Sequence, residues 1–442
     1  MARRLRLLWV TPNLPRLGIA AARERWWALL ARLTIRHDVT LLAFVDPEDI
    51  GAEAALPPGL AAIHQVPKAP WEPDDPLSLL PRTVRWGFAH PALRAAVESC
   101  VAAEPFDVVQ YEYVEMGQVM PFPVRPTILT VHQVGFASAW PEWRATGRSP
   151  RRAALALYRY LRDLDFELRT LGRAHHVVTM SEEDAARLRR FVPGLGVSVS
   201  PVGVDTRHFR PSAPPEPADA DVVFVGHFEH PPNRDAVRFL VAEVLPRVRR
   251  PLRVRIVGRG VTPDVAALAR ARVVVAPVRF GTGMRGKVLE ALAMGRPVVT
   301  TTLGAEGLGA SSGVHLLVAD SAEPFAAAVG RLLDEPAVGA RVGAAGRALV
   351  EARFDWDAIA SAHEDLYARI LANRVPAPVV APDRAPGLAR AMRAFGRIPA
   401  IVAGASLLAW RGARWHASPA RAYVRRLARP SPAGGRAPQA IA

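Results

Sequence analysis

The chain has 442 residues, half of them hydrophobic, with one cysteine and a formal net charge of +16. That length accommodates two domains with separate cores, and the hydrophobic share excludes a disordered chain. Cys100 alone excludes an internal disulfide framework and suits a reducing compartment.

The basic start, MARRLRLLWV, carries an apolar run too short for a signal peptide and reads instead as a strand. No stretch reaches the roughly 18 apolar residues of a spanning helix, so the expectation is a cytoplasmic protein. The charge is uneven: past Asn373 twelve arginines face one acid, Asp383, and most of the net charge lies in this tail.

In chain order, Leu5 to Val10 is a predicted strand, and the loop TPNLPRLGIAA leads to a helix over Arg23 to Leu33. Strands follow at Val39 to Phe44, near Ile63, at Asp107 to Tyr111, Thr127 to Val131 and His176 to Met180. Helices are expected at Pro91 to Val101, Arg151 to Leu171 and up to Phe191, the last capped by Ser181 with Asp184. Trp140 to Pro150 reads as a loop, either an acceptor lip or plain surface. The alternation implies a parallel sheet covered on both faces.

Pro211 to Asp221 (PSAPPEPADAD) is proline-rich and reads as a linker. A second block contains the strand VVFVG, a helix over Asn233 to Leu245 and a strand at Val254 to Val257. A strand at Val314 to Val318 and helices at Glu323 to Leu333, Pro336 to Glu351 and Trp356 to Leu371 complete it. The domains expected are 1–200 and 201–355, a closing helix 356–373 and a basic tail 374–442. That tail pairs apolar stripes with arginine, which suits either an interfacial helix on anionic lipid or a disordered segment.

The second block turns on Val274 to Leu308, VVAPVRFGTGMRGKVLEALAMGRPVVTTTLGAEGL. An apolar strand ends at Pro277, a glycine loop follows, and a helix starts at Lys287, with Gly295 past its end. Strand, glycine loop and helix start make an anion site, because free N–H groups and the positive dipole end face approachable backbone. Of 57 basic residues only Lys68 and Lys287 are lysine. Lys287 sits where a cation opposes the helix dipole, at a cost of roughly 0.3–1 kcal/mol that a bound anion offsets. Glu290 shares its helix face, so a surface ion pair and a ligand site are both open.

These two blocks, VVFVGHFEHPPNRDAVRFLVAEVLPRV and APVRFGTGMRGKVLEALAMGRPVVTTTLGAEGL, resemble the retaining, nucleotide-sugar-dependent glycosyltransferases of family 4. The likeness spans roughly residues 5 to 371 and is nearest to bacterial enzymes of exopolysaccharide and surface-glycan assembly. It implies the α/β GT-B fold, two facing Rossmann-like domains with a cleft between them. It implies sugar transfer with retention from a UDP-, GDP- or ADP-linked donor to a glycan or lipid-linked acceptor. By position, Glu290 matches a glutamate that holds the donor ribose. Gly283, Met284 and Arg285 match the loop at the diphosphate and sugar, with Lys287 beside them. Gly18 matches the N-terminal loop that closes over the phosphates, with Arg23 following, and His132 matches a histidine near the transferred sugar. In such enzymes arginine and lysine neutralise the leaving diphosphate, so no metal and no other cofactor is implied. His175 with His176, and His227 with His230, have no carboxylate at ligand spacing.

The departures are equally specific. Thr282 stands where the family has the first of two paired glutamates, and the loop GHFEHPPNRD lacks the family's arginine and lysine. Arg285 and Lys287 are placed to supply that charge from the other side of the pocket. Residues 258–272 leave room for one short helix, Pro263 to Ala269, where relatives place helix, strand and helix. Either another segment is therefore expected to fill that sheet position, or the second domain is compromised.

His132 is either a contact to the sugar or a satisfied cleft histidine. Glu112 is expected to be a solvated loop acid rather than an acceptor-orienting group, and Asn233 a helix cap. Two function classes stay open: a glycosyltransferase, or a catalytically weakened GT-B scaffold in a glycan-assembly complex. The arginine tail without a stacking platform argues against nucleic acid. It leaves peripheral attachment to the inner membrane face as a possible role.

Overall fold

The computed structural model describes residues 3–17, 21–68, 88, 90–121, 126–136, 150–212, 217–258, 265–281 and 284–372. The arginine-rich tail, Gly18, Thr282 and Gly283 lie outside the described residues.

Apolar runs with buried residues on both faces become the strands of a parallel sheet. In the first domain these are β1 (Arg6–Thr11), β2 (Asp38–Val45), β3 (Ala62–Pro67), β4 (Val108–Glu112), β5 (Thr127–Val131), β6 (His176–Thr179) and β7 (Val197–Val199). All pair in parallel, in the order β3-β2-β1-β4-β5-β6-β7. Helices α1 (Ala21–Arg36), α2 (Pro91–Ala103), α3 (Pro150–Leu171) and α4 (Glu182–Phe191) connect them. Strand alternation divides the core: Leu7 and Trp9 join Trp26, Leu29 and Leu33 of α1, whereas Leu8 and Val10 face the side holding Leu93, Leu164 and Leu188. Short β7 carries no periodicity of its own and is missing from the sequence reading.

The second domain contains β8 (Ala220–Gly226), α5 (Pro231–Phe239), β9 (Val254–Gly258), α6 (Val265–Ala269), β10 (Ala271–Ala276), α7 (Gly286–Ala293), β11 (Val298–Thr300), β12 (Leu317–Val318), α8 (Ala322–Asp334) and α9 (Pro336–Arg353). Its parallel order is β12-β11-β10-β8-β9. The predicted helix to Leu245 changes pitch after Phe239, continuing as a π-turn (Leu240–Val244) and a 3-10 turn (Leu245–Arg247). Pro246 in that turn has no N–H to extend the regular ladder. The late strand keeps only two residues, because Val314 lies in a turn and is exposed. Gly295 (φ +66°) closes α7 with Arg296 N donating to Ala291 O at 3.0 Å. Against that turn packs Gly343 of α9, where an added Cβ would lie 2.2 Å from Gly295 O.

The strand that the short 258–272 interval leaves no room for has no substitute among the described residues, and β9 is one edge of the sheet. Its residues are correspondingly only partly buried or exposed, Ile256 among them.

The last helix, α10 (Trp356–Ala372), follows the second domain but packs on the first. Trp356, Ile359, Tyr367 and Ile370 enter the cluster of Trp9, Trp26 and Leu33. Buried polar contacts fix it there: Tyr367 donates to Gln110 Oε1 at 2.7 Å, and Ser200 Oγ lies 3.0 Å from His363 Nδ1. The chain thus crosses between domains twice. The crossings touch, with Val204 and Asp355 bridged in parallel and Val204 N donating to Phe354 O at 2.8 Å.

Candidate functional site

Open α/β sheets bind ligands at the carboxyl ends of their strands, where strand order reverses. Here the reversals lie between β1 and β4 and between β8 and β10.

In the second domain β10 runs into the loop that starts α7, and Lys287 occupies the first turn. Its side chain crosses to the end of β8: Nζ donates to Asn233 Oδ1 at 2.5 Å and lies 4.6 Å above the Phe224 ring. Asn233, in the first turn of α5, is oriented by its own donation to His227 O at 2.8 Å. Gly226 completes the cradle, since a Cβ there would come within 3.1 Å of Lys287 Nζ. His230 precedes α5 without a side-chain capping bond. Arg285 precedes α7 and is buried, its guanidinium beside Gly281, which has φ +104°.

The electrostatics suit an anion. Burial lowers Lys287 to about 8, with Arg285 adding to the effect and Glu290 opposing it. Burial raises Glu290 to about 8, with Glu24 adding and Lys287 opposing. Burial lowers Arg285, opposed by Glu306, and lowers His230 together with Arg285, Lys287 and His227. Two helix N-termini and the basic side chains of Lys287 and Arg285 therefore lie together at the carboxyl ends of β8 and β10.

The opposing wall comes from the first domain. Glu112 closes β4 fully buried, which corrects the expectation of a solvated acid. Its Oε1 accepts from Gln110 Nε2 (2.7 Å) and Thr130 Oγ1 (3.0 Å). Its Oε2 accepts from Trp26 Nε1 (2.9 Å) and lies 2.8 Å from His132 Nε2. Arg25 Nη1 stands 3.6 Å away. Burial alone would raise the Glu112 pKa, but the bond to His132, the Arg25 charge and the other donors bring it down to about 2. His132 just past β5 is lowered, by burial first and by Arg25, against the pull of Glu112. Its ring stacks on Tyr113 (centroids 4.2 Å, 16° between planes) and meets Trp26 edge-on. Tyr113 has φ +78°, the sole non-glycine residue with positive φ among the described residues.

The walls face each other. Gly307 sits against both Met284 and Ser181 of the first domain, an added Cβ lying 3.0 Å from Met284 Cγ and 3.4 Å from Ser181 Cβ. Glu24 on α1 is close enough to Glu290 to act on its charge.

Of the residues singled out in the sequence, the fold gathers Met284, Arg285, Lys287 and Glu290 at the start of α7 and sets His132 on the other wall. Gly18 and Gly283 lie outside the described residues. Arg23 is committed elsewhere: Nε donates to Leu14 O at 2.7 Å and Nη2 to Asp49 Oδ2 at 2.5 Å, so it anchors the loop before α1. Asn233 lies inside the first turn of α5, whose N-cap position is His230, so it is a partner of Lys287 and not the expected cap. Among the described residues no three His, Cys, Asp or Glu side chains are arranged to hold a metal ion, and no helix is long and apolar enough to cross a membrane.

Comparison with known proteins agrees with this architecture. Residues 261–335 match a family described as "Glycosyl transferases group 1". No curated protein matches the chain. Among solved structures, the sucrose-phosphate synthase of Thermosynechococcus elongatus is similar over 84% of this chain and 100% of its own, with TM-score 0.60 and 20% identity. HepE of Anabaena, in complex with UDP and glucose, is similar over 83% and 100%, with TM-score 0.56 and 14% identity. A glycosyltransferase from Rickettsia africae is similar over 84% and 100%, with TM-score 0.55 and 12% identity. The fold is GT-B.

Proposed function

We propose that the chain is a group 1 glycosyltransferase that moves a sugar from a nucleotide-sugar donor to a glycan or lipid-linked acceptor, with retention and without a metal. The observation that carries this reading is the cradle of Gly226, Asn233 and Lys287 at the ends of β8 and β10, with Ser181 and Glu24 of the first domain close to Gly307 and Glu290 of the second. As the anomeric carbon becomes oxocarbenium-like, negative charge develops on the departing diphosphate. Lys287, Arg285 and the α7 N-terminus meet that charge from a fixed, water-poor position. Glu290 takes the donor ribose hydroxyls, and His132 faces the transferred sugar. The UDP and glucose bound by HepE make UDP-glucose the first donor to test.

A panel of UDP-, GDP- and ADP-sugars tests the reading by thermal shift. At least one raises the melting temperature of the protein, and Glu290→Ala removes that gain. If no nucleotide sugar stabilises the protein and Glu290→Ala changes nothing, the reading falls. Activity unaffected by a chelator and an unchanged anomeric configuration in the product check the two finer parts. Thr282 and the unpaired edge of β9 favour one alternative, a catalytically weakened scaffold in a glycan-assembly complex. That alternative predicts partner capture which survives loss of Lys287 and Glu290, with no turnover. Attachment to an anionic membrane face through residues 374–442 belongs to the same proposal, and vesicle binding with and without that segment tests it.

A further inference from the structure

We propose that Glu112 is a positioning residue that holds His132 in its Nε2–H tautomer, leaving Nδ1 as a hydrogen-bond acceptor for a substrate hydroxyl in the cleft. The inference rests on the glycosyltransferase reading for that hydroxyl, on the donor sugar or the acceptor, whereas the Glu112–His132 geometry stands alone.

The assignment follows from counting donors and acceptors. An ionised carboxylate only accepts. Glu112 takes Gln110 Nε2 and Thr130 Oγ1 on one oxygen and Trp26 Nε1 on the other, and that second oxygen lies 2.8 Å from His132 Nε2. His132 must therefore donate from Nε2. The charged or titratable neighbours of the His132 ring are Glu112 and Arg25, one of each sign, and the stacked Tyr113, whose phenol burial pushes up to about 12; burial of the ring lowers its own pKa and leaves the imidazole neutral. A neutral imidazole protonated at Nε2 has its lone pair at Nδ1.

Rotation is blocked as well. Tyr113, whose backbone has positive φ, stacks on one face of the ring, and Trp26 abuts it edge-on. Burying a carboxylate with four hydrogen-bond partners at a strand end is costly unless every lone pair is used, and here all the partners converge. A histidine that merely filled space would need no such shell.

The test uses the full chain labelled with 15N-histidine. Long-range 1H–15N correlation at neutral pH, with His132 identified by loss of its signals in His132→Gln, shows a protonated Nε2 and an unprotonated Nδ1. An Nδ1–H tautomer or an imidazolium there overturns the proposal without any variant at Glu112. Glu112→Gln keeps the shape but removes the charge. It gives a mixture of tautomers and lowers kcat by about tenfold or more, with little change in donor KM or in UDP affinity. Full kcat in a folded Glu112→Gln protein also overturns the proposal. A wild-type protein with the expected tautomer but no turnover on any nucleotide sugar would instead count against the function, so the two failures are distinguishable.

Discussion

Lys287 Nζ and Asn233 Oδ1 lie 2.5 Å apart, joining the first turns of two helices that leave neighbouring strands of the second sheet. Two cation-unfriendly positions are thereby combined. A helix N-terminus repels the ammonium and burial desolvates it, so the protein holds Lys287 in place with a neutral amide and an aromatic face rather than a full counter-charge. The positive charge is left uncompensated for an anion to use.

Lys287→Met should therefore weaken UDP binding by roughly 10- to 100-fold, the worth of one charge-assisted hydrogen bond. Asn233→Ala should weaken it less, because the ammonium remains but is no longer oriented. Isothermal titration of the two variants checks the ranking, and an Asn233→Ala loss exceeding that of Lys287→Met would contradict it.

Binding should also fall as pH rises through about 8. Lys287, lowered to about 8, loses its positive charge there, and Glu290, raised to about 8, gains a negative one. Both changes oppose a diphosphate, so the affinities for UDP measured at about pH 7 and about pH 9 should differ by more than screening alone gives. Lys287→Arg, whose charge persists, should flatten the profile in part. A flat profile in the wild type would show that neither group faces the ligand.

The Glu112 network carries its own pH signature. Its pKa in the folded protein is about 2 against an ordinary 4.5, so the stabilisation is complete above the unfolded value and lost as pH falls through about 2. The difference is on the order of 3 kcal/mol. The stability gap between wild type and Glu112→Gln, measured by denaturant titration, should hold from neutrality to about pH 5 and shrink below it. A gap independent of pH would mean that Glu112 is not the ionised member of the network.

Gly343→Ala tests the second domain. The new Cβ would meet Gly295 O at 2.2 Å, and both partners are backbone with no rotamer to yield. The expected loss is about 1–3 kcal/mol, read as a lower melting temperature. Gly330→Ala, on open ground in α8, should be neutral or slightly stabilising and serves as the control.

Much of this is legible in the amino-acid sequence. Apolar runs bounded by Gly and Pro marked nearly every strand, since parallel strands buried on both faces leave a continuous apolar signature. The helix start with Lys287, Arg285 and Glu290 was also visible, because its chemistry is local. What escaped were partnerships distant in sequence: Lys287 with Asn233, Glu112 with Trp26 and His132, and Arg23 with Asp49. One clue to Glu112 was present. Gln110 and Glu112 occupy one face of a strand whose every residue is buried, and two polar side chains at that spacing in an apolar sheet must satisfy each other or their neighbours.

The return of α10 to the first domain also sets an order of assembly. During synthesis β1 to β7 emerge first, yet the cluster of Trp9 and Trp26 lacks its last members until Trp356, Ile359, Tyr367 and Ile370 leave the ribosome. By then the whole second domain has been made and is free to fold as its own unit. The first domain to be translated is thus the last to be finished, and a chain stopped before Trp356 would leave its core without the residues that α10 supplies.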